Sequence, residues 1–367
     1  MRIGGSVVTP DGVVVGAVEV DGDRIVAVEA DSTVDSGQWV VPGFVDMHVH
    51  GGGGYTFTTA DAREARGAAG FHGRHGTTTL VASLVSAPFA VMRKATAAFA
   101  PLVAEGVLAG IHFEGPYLST VRCGAQNPAY LRDPSVDELD ELLRSGIVRM
   151  MTIAPERPGA RDAIARLVGA GAVAAIGHTD ATYEQTRAGI AAGATVATHL
   201  FNGMRPVHHR EPGPVYALLD APEVTCELVA DGVHLHDGVL AFAARAGGTD
   251  RTALITDAIA AAGAGDGPYA LGGHDVVVRD GVVRLSTVDG SPGAIAGSTL
   301  TMDAALRRAI AAGLSMVDAV AMASTTPARA LGLGDVGALT PGRRADLVVL
   351  DRDLRVTAVL RYGGWLT

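Results

Sequence analysis

Lysine is almost missing from this chain: Lys94 is the only one in 367 residues, and every other basic side chain apart from histidine is arginine. The formal net charge of −10 argues against a general nucleic-acid surface, which needs a basic stripe to displace counterions. An acidic chain can still hold a small anion through a few local cations and backbone N–H groups. Cysteine is scarce too. Cys123 and Cys226 cannot supply a disulfide framework and fit a reducing cytoplasm. Long apolar runs are absent, because stretches such as 195–204 are broken by His or Gly well short of membrane-spanning length. The opening MRIGGSVVTPDG passes directly into strand-like alternation and lacks the layout of a signal peptide. A cytoplasmic protein with neither nucleic-acid nor membrane partners is expected.

Nearly half of the residues are apolar and only 19% are charged, enough for one large core and a smaller appended one. Residues 1–41 read as short β-branched strands with turns at Pro10-Asp11-Gly12 and Asp21-Gly22-Asp23, and 335–367 again carries strands, at 345–351 and 356–360. The two ends either share one small β-sandwich domain or decorate the middle separately; the shared sheet is the expectation. Between them, over 42–334, strand-length apolar runs alternate with Ala-rich helical stretches, the pattern of a parallel α/β protein. The runs are 39–50, 77–84, 107–115, 147–155, 172–179, 195–202, 225–235 and 252–259. Eight such runs, with no GxGxxG after the first, predict a (β/α)₈ TIM-type barrel rather than an open dinucleotide-binding sheet. An Asp280-Gly281 turn signal marks a β-hairpin insertion near 268–290.

Barrel chemistry sits where strands end at the C-terminal face. The ends of these runs carry His48 and His50, then Glu114, His178, His199, His234 and Asp257. His48 and His50 are two apart, so a strand turns both to one side. Each residue also has a plainer reading: a His-x-His pair or a histidine in an apolar strand can be structural, Glu114 can cap a turn, and Asp257 a helix. It is the joint arrangement that predicts a metal centre. Imidazoles and carboxylates at this density suit Zn²⁺ or a similar divalent ion. His112 shares the face of Glu114 but lies deeper, which fits a supporting or core role. His72, His75, His208, His209, His236 and His274 have no strong functional case.

PGFVDMHVHG at 42–51 resembles the opening strand of the amidohydrolase superfamily, and the resemblance extends over the whole chain. HFEGPY (112–117), GHTDAT (177–182), THLFNGM (198–204), REPG (210–213), ADGVH (230–234), TDA (256–258) and AGSTLTM (296–302) resemble, in order, the N-acetylglucosamine-6-phosphate deacetylase family. The resemblance implies that Glu114, His178 and His199 hold the main metal, that His48 and His50 can add a second sharing Glu114, and that Asp257 carries the proton. One or two divalent ions per chain are expected. It implies substrate contacts from Ala125, Gln126, Asn202, Gly203, His234, Ile295, Ala296 and Gly297. Arg210 would reach across a homodimer to the neighbouring site. Gln126 stands where the family loop usually ends in a histidine that polarises the acetyl carbonyl; glutamine can donate a hydrogen bond there but carries no positive charge. Cys123 is either an incidental loop residue or a gating, redox-sensitive one. Many two-metal relatives bridge their ions with a carboxylated lysine ending strand four; TIAPE (152–156) offers none, so the resemblance leaves Glu114 as the bridging carboxylate.

The implied reaction is metal-dependent hydrolysis of the acetamide of an amino-sugar phosphate. Its rivals are another amide hydrolase or deaminase of the superfamily acting on a non-phosphorylated small molecule, and a non-catalytic barrel with a structural metal.

Overall fold

The computed structural model describes residues 1–35, 37–289 and 291–366. Its centre is a barrel of eight parallel strands paired in chain order: β1 (Phe44–Val49), β2 (Thr77–Val85), β3 (Ile111–Glu114), β4 (Val148–Ile153), β5 (Val173–Ile176), β6 (Val196–Ala197), β7 (Thr225–Val229) and β8 (Thr252–Ile255). Contacts between the first and last strands complete the ring. Asp257 N–H donates to His48 O at 2.9 Å, His50 N–H to Ala258 O at 2.8 Å, and Thr256 Oγ1 to Asp46 Oδ2 at 2.6 Å. Every residue of β1, β2, β3, β7 and β8 is buried. Such strands are buried on both faces because helices cover the outside of a parallel barrel.

Each barrel strand leads to a helix: α1 (Ala62–Arg74), α2 (Phe89–Ala104), α3 (Val136–Leu143), α4 (Ala160–Gly169), α5 (Tyr183–Ala191), α6 (Gly213–Asp220), α7 (Asp237–Gly247) and α8 (Met302–Ala311). Local chemistry sets several starts. Asp61 accepts from two N–H groups of α1, Ser135 caps α3, and Thr182 with Gln185 forms a reciprocal capping box on α5. No helix among the described residues is long and apolar enough to cross a membrane.

The strand expected over 39–50 is in fact two. Trp39–Pro42 joins a seven-stranded sheet built from both ends of the chain, pairing parallel to Arg2–Thr9 and antiparallel to Leu347–Leu350. Gly43 then carries the chain into β1. A Cβ there would meet Thr78 Oγ1 at 2.1 Å, so only glycine fits this crossing. The terminal sheet encloses its own apolar cluster, including Ile3, Val18, Ile25, Val40, Leu347 and Leu360.

The insertion between β8 and α8 has one strand more than a hairpin: Gly267–Leu271, His274–Arg279 and Val282–Leu285. Asp280 and Gly281 both adopt positive φ, 52° and 74°, as a two-residue turn matched to strand twist requires. Its inner face packs Leu271, Val276, Val278 and Val283 on Val85 and Ile259, which brings the insertion over the C-terminal mouth of the barrel.

Candidate active site

Below the mouth, the barrel interior carries a hydrogen-bonded polar layer. His112 lies between Ser83 Oγ (3.0 Å) and Thr152 Oγ1 (2.8 Å), and Thr152 continues to Thr198 Oγ1 at 2.8 Å. Burial, reinforced by the neighbouring His48, pushes His112 well below its usual pKa, so it is a neutral supporting ring.

Above this layer six side chains converge. Glu114 Oε1 lies 3.0 Å from His178 Nε2 and 2.9 Å from His199 Nε2, which are themselves 3.1 Å apart. His48 Nε2 and His50 Nε2 are also 3.1 Å apart, and His50 Nε2 is 3.3 Å from both Glu114 Oε2 and Asp257 Oδ1. Glu114 thus faces both groups, His178/His199 and His48/His50/Asp257.

The other nitrogen of each ring explains the orientation. His178 Nδ1 faces Arg122 O at 2.8 Å, His199 Nδ1 faces Asn202 O at 3.2 Å, and His50 Nδ1 faces Ser83 O at 3.1 Å. His48 Nδ1 faces Glu227 Oε2 at 3.0 Å. Carbonyl and carboxylate oxygens only accept, so each Nδ1 carries the proton, and a neutral ring then aims its Nε2 electron pair inward. Electron pairs and carboxylate oxygens meeting at 3 Å need cations among them. Two three-donor sets of imidazole and carboxylate, His48/His50/Asp257 and Glu114/His178/His199, fit a divalent metal ion. Otherwise protons fill the gap. Burial disfavours charge on His48 and His50, but Glu227 and Glu114 outweigh it at His48, and Asp257 and Glu114 at His50, raising both. Burial would likewise raise Glu114 and Asp257; contacts with the surrounding imidazoles hold both well below the usual carboxylate range.

Three of these residues sit just past their strands in the left-handed region: His178 (φ 44°), His199 (φ 27°) and Asp257 (φ 49°). Non-glycine residues seldom adopt it, and strain of this kind gathers at functional sites. Gly203 (φ 62°) closes against His178, where an added Cβ would lie 2.9 Å from Nδ1.

The group opens into a cavity of about 330 Å³ lined by His50, Glu114, His178, His199 and Asp257 and, around them, Gln126, His234, Leu271 and Arg284. Of the expected substrate contacts, Ala125, Gln126, Asn202, Gly203, His234, Ile295 and Gly297 line it. Two do not. Ala296 is buried, packed with Val283 and bonded to its carbonyl at 3.2 Å. Arg210 is exposed and contacts His209 Nε2 at 2.8 Å. His234 is not at a strand end, since β7 stops at Val229; Asp231 holds its Nδ1 at 2.7 Å. Glu227, Asp231, Leu271 and Arg284 were not singled out from the sequence. Lys94 is remote, donating to Thr59 O at 3.1 Å.

Residues 39–366 match the amidohydrolase family. The chain belongs to that family. This amidohydrolase is 48% identical to the N-acetyl-D-glucosamine-6-phosphate deacetylase of Mycobacterium smegmatis, solved in complex with N-acetyl-D-glucosamine 6-phosphate; the match covers 100% of this chain and 99% of that one, with a TM-score of 0.96. It is 36% identical to the N-acetylglucosamine-6-phosphate deacetylase of Lysinibacillus sphaericus, over 91% of this chain and 87% of that protein. It is 38% identical to the N-acetylgalactosamine-6-phosphate deacetylase of Escherichia coli O157:H7, over 88% and 86% respectively. Amidohydrolases are metal-dependent, in keeping with the two donor groups around Glu114.

Proposed function

We propose that this amidohydrolase hydrolyses the acetamide of N-acetyl-D-glucosamine 6-phosphate to D-glucosamine 6-phosphate and acetate, within cytoplasmic amino-sugar catabolism. The observation that carries the reading is the convergence of both donor groups on one cavity, in a chain whose relatives deacetylate such sugars. Glu114, His178 and His199 would hold one divalent ion, and His48, His50 and Asp257 a second; imidazole-rich, borderline donors favour Zn²⁺. Such ions, when bound, polarise a carbonyl and bring the pKa of water towards neutrality.

The chain's own residues do the rest. Asp257 accepts the proton of the attacking water as oxygen bonds to the acetyl carbon. It then delivers that proton to the nitrogen as the C–N bond breaks, because an amide nitrogen leaves poorly as an anion. Gln126 holds Glu114 Oε2 with one N–H, at 2.6 Å. Its second N–H is available to the carbonyl oxygen as charge develops there. His234 faces the cavity with Nδ1 fixed on Asp231; burial lowers its pKa, but Asp231 and Asp257 raise it further, which favours a cation opposite a phosphate. Ala125, Asn202, Gly203, Ile295 and Gly297 surround the sugar. Arg210, exposed and free of any ion pair among the described residues, would serve the neighbouring site of a homodimer.

The test is acetate release at defined zinc loading from N-acetylglucosamine 6-phosphate, its galacto epimer and unphosphorylated N-acetylglucosamine. Highest kcat/KM on the first supports the proposal. Preference for the epimer would reassign the substrate, and no release from any of them would remove the function.

A further inference from the structure

Glu227 lies on β7 beneath the site, wholly buried. Its Oε2 takes the His48 Nδ1 proton at 3.0 Å and the His199 backbone N–H at 3.1 Å, touching one ligand from each donor group. Its Oε1 has no hydrogen-bond partner, and neither arginine nor lysine pairs with it among the described residues. An uncompensated buried carboxylate is costly. The balancing charge must therefore lie on or beyond His48, whose Nε2 points into the His50/Asp257 group.

The four rings are not treated alike. His50, His178 and His199 lean on neutral carbonyls, whereas His48 alone leans on a carboxylate. A carboxylate behind an imidazole fixes the ring and makes its far nitrogen a better donor. The His199 backbone N–H gains no such effect at its ring. We infer that Glu227 is a positioning residue that makes the His48/His50/Asp257 group a binding place for a second divalent ion, an inference that rests on the two-ion reading above.

Zinc titration of the chelator-stripped protein, with elemental analysis after buffer exchange, tests it without any turnover. The parent should take up two ions per chain. Glu227→Gln keeps the volume and an oxygen for both donors but removes the charge. It should weaken one ion by about 10–100-fold, leave the other within a few-fold, and melt close to the metal-free parent. Glu227→Asp, which keeps the charge but draws it back from His48, should fall between them and serves if the amide variant does not fold. In a His48→Ala/His50→Ala background, Glu227→Gln should not weaken the remaining ion. Two ions bound as tightly in Glu227→Gln as in the parent, or equal weakening of both, would overturn the inference while leaving the function intact. A parent that binds one ion would instead sink the two-ion reading itself, and the inference with it.

Discussion

Gln126 donates its side-chain amide to Glu114 Oε2 at 2.6 Å while the Ser86 N–H donates to its carbonyl end at 2.7 Å. Both ends are fixed, so the N–H side can point only towards the reacting centre. Gln126→Ala should therefore do two things at once. It strands the buried Ser86 N–H, at a cost of about 1–3 kcal/mol of stability, and removes a donor whose loss at an oxyanion typically lowers kcat by about 10²–10³-fold. Denaturant midpoints and kcat, measured together, check both halves; unchanged kcat would leave Gln126 with a purely structural role.

Asp257→Asn should fold, keep the ion of Glu114, His178 and His199, and lose about 10²–10⁴-fold in kcat, because one group must both take and return the proton. Its Oδ1 also faces His50 at 3.3 Å, so the second ion should loosen too. Elemental analysis beside kcat separates the effects: near-parental turnover would refute the proton role, whatever the metal content.

Much of this centre was legible in the residues. His48 and His50 share a face because strands repeat every two residues, and Glu114 ends a clear apolar run. What could not be read is just as physical. The ends of the apolar runs give His178, His199 and Asp257, but the left-handed backbone that holds them beyond strands of only two to four residues is announced by no pattern of apolar residues. The partners of three histidines are backbone carbonyls of Arg122, Asn202 and Ser83, which any residue could supply. Glu227 lies inside the apolar run 225–235, and nothing in the residues around it signals that it backs a histidine from another strand. Trp39–Pro42 and β1 merged into one run because a single glycine, without a side chain to register in the pattern, is all that separates two sheets.

Metal loading should weaken as pH falls. His48 and His50 are raised above the ordinary histidine value by the carboxylates around them when no ion is bound. A proton on Nε2 occupies the electron pair a metal needs, so binding must release it. Affinity is then full only above those raised values and declines as pH drops through them, beginning on the alkaline side of about 6.5. The His48/His50/Asp257 group should empty first. Zinc content after equilibration across pH 5.5–8.5 checks this, and a uniform stoichiometry over that range would contradict it.

Phosphate recognition is the prediction that addresses the substrate rather than the chemistry. The chain carries a net charge of −10, so long-range attraction for a sugar phosphate is not expected, and discrimination must come from near contacts. Within its own chain the cavity offers His234, backed by Asp231, and Arg284, whose Nη1 already donates to Gly293 O at 2.9 Å. Arg210 lies outside that lining and can act only on a neighbouring copy. A charge-assisted Arg–phosphate bond is among the stronger contacts available. Removing it should raise KM for the phosphorylated sugar about 10–100-fold, the roughly 1.5–3 kcal/mol of a hydrogen bond to a charged group, and leave the unphosphorylated sugar little changed. Arg210→Ala compared with the parent on both sugars, alongside sedimentation to establish the oligomer, tests the pair of claims. If the parent is a monomer, or if Arg210→Ala affects both sugars equally, phosphate reading falls to His234 and Arg284, and substitutions there should carry the loss instead.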